Sequence, residues 1–287
     1  MAKIDILGVK IDQITEKEVL EKIPEFIRSG TSHQIVTCNP EFVMLAQEDK
    51  DFLKIINQAS LVLPDGIGIL WAAKFLSIRS SISGVRSQVS IIRYLQISWQ
   101  AFYTLLSLIF YPSYLRTVLP SRIAGSDLIW KISELASQNQ YSIFLLGGGE
   151  GVALKAAMRL QQRFPTLRVA GSFSGRGEEF GDRITVPLVK RRKPEILFVA
   201  YGLPKQEKWI KRNLGKLKEV KIAVGVGGAF DFITGTQRRA PKIFQKLSLE
   251  WFWRTATKPK RISRTTKSVP RFIAKVVKYK IEKRDMR

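Results

Sequence analysis

Asp65 has the setting that most invites chemistry. It stands in Leu61-Val62-Leu63-Pro64-Asp65-Gly66-Ile67-Gly68, where a short hydrophobic run delivers one carboxylate to a glycine-flanked turn. A carboxylate held at the end of a strand can act as a general base, taking the proton of an attacking hydroxyl. An Asp before Gly is also a common turn residue. Both readings stay open here, although the chain that follows places Asp65 well for the first: from Gly66 to Ser126 there is no acidic residue, while Lys74, Arg79, Arg86, Arg93, Arg116 and Arg122 supply positive charge.

Four more loops leave expected strands with polar or glycine-rich sequence. In Thr37-Cys38-Asn39-Pro40 a strand gives way to a helix. Asn39 suits the N-cap of that helix, and Thr37 with Asn39 also suits hydrogen bonding to a sugar hydroxyl or acetamido group. Leu146-Gly147-Gly148-Gly149-Glu150-Gly151 is a strand-to-helix junction whose backbone N–H groups can cradle a diphosphate. It fits neither the P-loop nor the dinucleotide fingerprint, and a tight turn explains it equally well. Tyr201-Gly202-Leu203-Pro204-Lys205-Gln206-Glu207 and Val226-Gly227-Gly228-Ala229-Phe230-Asp231 each follow a strand. Their clustered Gly, Pro and polar residues suit ligand contact, with a surface role for Lys205, Gln206 and Glu207 as the plain alternative.

The elements that must position these loops alternate in type. Lys3–Ile11 and His33–Thr37 read as strands around a helix over Thr15–Ile27, in which Val19, Leu20, Ile23 and Ile27 recur at helical spacing. A helix starts at Pro40 and its apolar positions continue to Asn57, before a brief strand at Leu61–Leu63. Downstream come strands at Ser142–Leu146, Arg168–Gly171, Ile196–Ala200 and Lys221–Val226, separated by helices at Val152–Phe164, Asp182–Arg192 and Pro204–Asn213. This alternation predicts an α/β, Rossmann-like fold of largely parallel strands flanked by helices, with ligands beyond the strands' carboxyl ends.

The rhythm breaks between Ile78 and Pro120. Tyr94–Tyr111 is an uncharged stretch stopped by Pro112, with Gln96, Gln100, Thr104 and Ser107 forming a narrow polar stripe among Trp99, Phe102, Leu105, Leu106, Ile109 and Phe110. Two readings remain open: a helix lying in a membrane interface, or one buried in a core or between subunits. The tail is the other unusual region, since Trp251 to Arg287 holds 13 basic and 2 acidic residues. There Phe272, Ile273, Val276, Val277 and Ile281 can share a helix face among Lys275, Lys278, Lys283 and Arg284, a pattern that binds anionic lipid surfaces, with a merely solvated charged helix as the alternative.

Composition narrows the classes. A formal charge of +24 attracts phosphates, anionic lipid or nucleic acid. The single Cys38 excludes an internal disulfide, and with only His33 beside it a Cys/His zinc site lacks ligands. Met-Ala-Lys-Ile-Asp-Ile-Leu-Gly lacks the pattern of a secretory signal, so a cytoplasmic body is expected. A nucleic-acid binder would account for the charge, but no recognition motif accompanies it. A nicotinamide-dependent oxidoreductase is disfavoured by the missing Gly-x-Gly-x-x-Gly run.

Taken in order, Thr37 to Gly68, Arg122-Ile123-Ala124-Gly125-Ser126-Asp127-Leu128, Leu146-Gly147-Gly148, Gly202 to Glu207, Val224 to Asp231, Arg239-Ala240-Pro241 and Leu249-Glu250-Trp251 resemble the WecG/TagA/CpsF glycosyltransferases. The resemblance implies a metal-independent, inverting transferase with no cofactor. Its donor would be a UDP-sugar of the N-acetylmannosamine type and its acceptor N-acetylglucosamine on undecaprenyl diphosphate. Such an enzyme works peripherally at the cytoplasmic face of the bacterial plasma membrane, in teichoic acid or other surface-polysaccharide synthesis. Asp65 matches the base, with Thr37 and Asn39 beside it. Arg122, Gln206 and Asp231 match pocket or nucleotide-sugar positions, and Gly147, Gly148, Gly202, Lys205, Glu207 and Gly228 lie in the same loops. Arg254, Arg261 and Arg264 match a basic C-terminal appendage. The implied layout is a core over 1–250 and an appendage over 251–287. Residues 78–121 form an apolar and basic insertion, longer than the family's usual passage here.

Overall fold

The computed structural model describes residues 1–79, 89–237 and 259–282, and side chains throughout these except at 89–90 and 259–268. The chain runs through β1 (Lys3–Ile6), β2 (Val9–Asp12), α1 (Glu16–Arg28), β3 (His33–Cys38), α2 (Pro40–Ala46), α3 (Lys50–Asn57), β4 (Leu61–Pro64), α4 (Ile67–Ser77) and α5 (Val89–Phe110). Next come α6 (Gly125–Gln138), β5 (Ser142–Gly147), α7 (Val152–Arg163), β6 (Arg168–Phe173), α8 (Asp182–Arg192), β7 (Ile196–Ala200), α9 (Lys205–Asn213), β8 (Ile222–Gly225), α10 (Ala229–Ile233) and α11 (Pro259–Glu282).

Six of the strands form one parallel sheet in the order β4-β3-β8-β7-β5-β6. Buried on both faces, its central strands read as continuous apolar runs, and alternate residues enter different layers. Ile35, Leu63, Leu145, Phe198 and Val224 pack on one side with α1, α6, α7 and α10. On the other side, Val36 and Val62 meet α2, α3, α4, α5 and α11, while Phe144, Leu146, Leu197, Val199 and Ala223 meet α8 and α9. The expected α/β fold with a parallel sheet is what the chain adopts.

Two local expectations need correction. Lys3–Ile11 is not one strand but an antiparallel hairpin outside the main sheet, because Leu7 (φ 54°) and Gly8 (φ 85°) turn the chain back. Its buried Asp12 accepts from the Val62 N–H at 2.7 Å and occupies part of the edge of β4. The helix expected from Pro40 to Asn57 is two, because Asp49 caps a fresh start by accepting from the Phe52 N–H at 2.8 Å. In α5, the polar stripe faces the protein. Thr104 and Ser107 are buried, and the Thr104 hydroxyl accepts from the Trp71 indole N–H at 3.0 Å.

Candidate active site

Four strands end at one place. The chain leaves β3 toward β4 on one side, while β8, β7, β5 and β6 build the sheet on the other, so a crevice opens at the strands' carboxyl ends. There β3 leads to Thr37 and Asn39, β4 to Asp65, β7 to Tyr201 and Gly202, and β8 to Val226 through Gly228; all line a cavity of about 580 Å³.

Backbone hydrogen bonds hold the charged pair of this cavity together. The Asp65 N–H donates to the Cys38 carbonyl at 2.8 Å, which ties the turn after β4 to the end of β3. The Ile123 N–H donates to the Pro64 carbonyl at 2.8 Å, which brings Arg122 beside Asp65 although the two are far apart in sequence. Thr37 donates its hydroxyl to the Gly225 carbonyl at 3.2 Å. A Cβ on Gly125 would come within 3.1 Å of that hydroxyl, so the start of α6 sits directly on the end of β3.

Helix ends add positive potential. α2 is closed by Asn39, whose side-chain oxygen accepts from Glu41 N–H (2.8 Å) and Phe42 N–H (3.3 Å). α4 and α6 begin at Gly66 and Ala124 with no side-chain cap, and both first turns lie on the cavity wall. Their first N–H groups lack intrahelical partners, and with the helix dipole they favour an anion there. Gly66 has φ 98°, a conformation natural to glycine.

Gln206 fixes the floor. Its side-chain oxygen accepts from the Gly202 N–H at 3.1 Å and the Gly227 N–H at 3.0 Å, clamping the loops after β7 and β8 to each other. Its amide nitrogen donates to Glu207 Oε1 at 2.7 Å. Glu207 is wholly buried, and Oε2 has no hydrogen-bond partner among the described residues. Burial pushes its carboxyl up from 4.5 to about 8, against the weaker opposing pull of the Gln206 hydrogen bond.

The folded chain therefore keeps a proton that the unfolded chain releases near pH 4.5. This group's contribution is fully present below that pH, declines as pH rises toward about 8, and is constant above it. Glu207→Gln removes the titration. Urea unfolding at a series of pH values should show the wild type losing stability relative to the variant by up to ~1.4 kcal/mol per pH unit in that window. Parallel profiles for the two proteins would refute a neutral buried Glu207.

Of the residues expected from sequence, Thr37, Asn39, Asp65, Arg122, Gly202, Gln206 and Gly228 share the cavity. Others lie elsewhere. Glu207 is behind Gln206 rather than on the wall, and Lys205 points to solvent, where it bridges to Glu178 at 2.5 Å. Gly147 is glycine because a Cβ there would strike the Ala200 carbonyl at 2.7 Å, and Gly148 packs near Val152 and Phe230; neither borders the cavity. Asp231 is not on the wall, but its Oδ2 lies 3.6 Å from where a Cβ on the wall residue Gly228 would stand. Arg254 lies outside the described residues, as do the side chains of Arg261 and Arg264. Sequence reading missed the cavity's apolar end, built by Trp71, Leu105, Leu108, Val269, Phe272 and Ile273. Their only signal was periodicity, which does not tell a core face from a ligand-facing one. Among the described residues, no three His, Cys, Asp or Glu side chains are grouped to hold a metal ion.

The family model described as "Glycosyl transferase WecG/TagA/CpsF family" matches residues 4–103 and 106–286. The chain belongs to the WecG/TagA/CpsF family of glycosyl transferases. Similar proteins include N-acetylglucosaminyldiphosphoundecaprenol N-acetyl-beta-D-mannosaminyltransferases of Staphylococcus aureus strains MRSA252, NCTC 8325 / PS 47 and COL. Each is 33% identical over 281 residues, covering 97% of this chain and 94% of the relative. This WecG/TagA/CpsF chain is accordingly a glycosyltransferase. The break between its two matched stretches falls inside α5.

Proposed function

We propose that this glycosyltransferase moves an N-acetylmannosamine-type sugar from a UDP-sugar to the hydroxyl of N-acetylglucosamine carried on undecaprenyl diphosphate, with inversion and without metal. The observation behind this reading is the placement of Asp65 and Arg122 on one cavity with the uncapped starts of α4 and α6. Asp65 accepts the proton of the acceptor hydroxyl as its oxygen bonds to the anomeric carbon. The bond from that carbon to the diphosphate breaks, and UDP leaves with the electron pair. Arg122 and the helix N–H groups stabilise the charge gathering on the diphosphate. Gln206 keeps the floor loops in place, and Thr37 and Asn39 contact the sugars.

The relatives' activity toward a diphosphoundecaprenol-linked acceptor supports the lipid-linked substrate. Such a substrate suits a peripheral protein at the cytoplasmic membrane face, serving surface-polysaccharide or teichoic acid synthesis. No helix among the described residues is long and apolar enough to cross a membrane. Residues 78–121 and 251–287 are the segments this reading assigns to the membrane side of a core over 1–250.

The test is a donor screen of several UDP-sugars against a short-chain lipid-diphosphate N-acetylglucosamine, with product read by mass. We expect UDP-N-acetylmannosamine to give the largest yield, unchanged by EDTA. Transfer only from other donors would overturn the sugar assignment, and loss in EDTA with recovery on adding a divalent ion would overturn metal independence.

A further inference from the structure

α5 is built inside out for a helix on a water-facing surface. Its polar residues face the protein: besides Thr104 and Ser107, the Gln100 side chain accepts from Lys280 Nζ at 2.7 Å, and Arg93 donates to the Ile281 carbonyl at 2.7 Å. These bonds fasten α5 to α11. The opposite face is apolar and exposed, with Ile92, Leu95, Trp99, Phe102, Leu106 and Ile109 following one another at intervals of three and four. Trp99 and Leu95 are each 66% exposed and Phe110 78%. Of sixteen large exposed hydrophobic residues among the described ones, eleven lie between Ile91 and Tyr111, so this is a patch and not scatter. A surface helix of a soluble protein shows the reverse arrangement.

We propose that the outer face of α5 is an in-plane anchor that sinks into an anionic phospholipid bilayer, placing the cavity one helix away from the lipid. Three observations select a bilayer. Aromatic and aliphatic side chains are mixed along the face as in interfacial helices, and α5 is too polar on its inner side to span. The flanks are cationic: no acid occurs from Gly66 to Ser126, and Arg271 and Lys275 stand on the neighbouring α11. A second copy of the chain would instead bring those basic flanks against each other in a protein of net charge +24. Finally, Leu105 and Leu108 on the inner side of the same helix line the apolar end of the cavity with Phe272 and Ile273. An acceptor with a hydrocarbon tail could thus reach Asp65 without leaving the membrane surface. That last step rests on the proposed acceptor; the docking does not.

The experiment compares the full chain with the variant Leu95→Asn, Trp99→Gln, Phe102→Asn, Ile109→Asn, all exposed positions outside the cavity wall. Binding to vesicles of phosphatidylglycerol and phosphatidylcholine is measured by sedimentation, with circular dichroism to confirm the fold. We expect the variant to bind at least about tenfold more weakly, with turnover of a water-soluble short-chain acceptor unchanged. In the wild type, lipids brominated in the acyl chain should quench tryptophan emission, and Trp99→Phe should remove most of that quenching. Equal vesicle binding by wild type and variant would overturn the proposal. So would absent quenching, or a wild-type dimer that becomes monomeric in the variant while vesicle binding stays the same. Vesicle binding is read without any transfer reaction, so failure of the substrate assignment leaves this result standing, and the reverse.

Discussion

Asp65→Asn should lower transfer by about 10²- to 10⁴-fold while leaving the fold and the thermal midpoint close to those of the wild type. The substitution keeps the shape of the side chain and the backbone bond from residue 65 to the Cys38 carbonyl, and removes the negative charge and with it the ability to take a proton. Binding of the donor, measured by calorimetry with UDP, should change little, since the carboxylate acts on the acceptor hydroxyl. Turnover within a factor of about ten of the wild type would remove Asp65 as the base.

Arg122→Ala should reduce turnover by about 10²- to 10³-fold, roughly 3 to 4 kcal/mol of transition-state stabilisation. Its charge matters most when the diphosphate departs, so kcat should fall further than KM for the donor rises. Arg122→Lys should recover part of the loss, because a point charge replaces a planar two-pronged donor. A pure rise in KM with kcat intact would show that Arg122 holds the ground-state donor and does no more.

Why these two residues meet was only partly legible in the sequence. The turn at Pro64-Asp65-Gly66 and the alternation of strands and helices were readable, because periodicity and turn chemistry are local properties. Arg122 is brought to the side of Asp65 by a backbone hydrogen bond from Ile123 to Pro64, a contact between distant segments that no local pattern encodes. The glycines show the same limit from another side. Gly147 and Gly148 look like a phosphate cradle in sequence, yet the tight approach of β5 to β7 accounts for Gly147. In sequence, Glu207 suits a ligand contact or the surface, because it follows Gln206 in a polar loop. The helix turns it by about 100° per residue, which puts Gln206 on the cavity and its neighbour in the core. In α5 the stripe itself was visible, but which side of it faces the protein is decided by Trp71 and Lys280, partners from outside the segment.

The strand order has a consequence for how the enzyme comes into being. His33 in β3 pairs with Ile222 in β8, and the hydroxyl of Thr37 finds its acceptor 188 residues further along the chain. A nascent chain that has emerged only as far as α9 already owns Asp65, Arg122 and Gln206, but the gap beside β3 is still open and Gly227 has not yet arrived for Gln206 to grip. The floor of the cavity therefore closes late, when β8 slots between β3 and β7, and its apolar end later still, when α11 arrives.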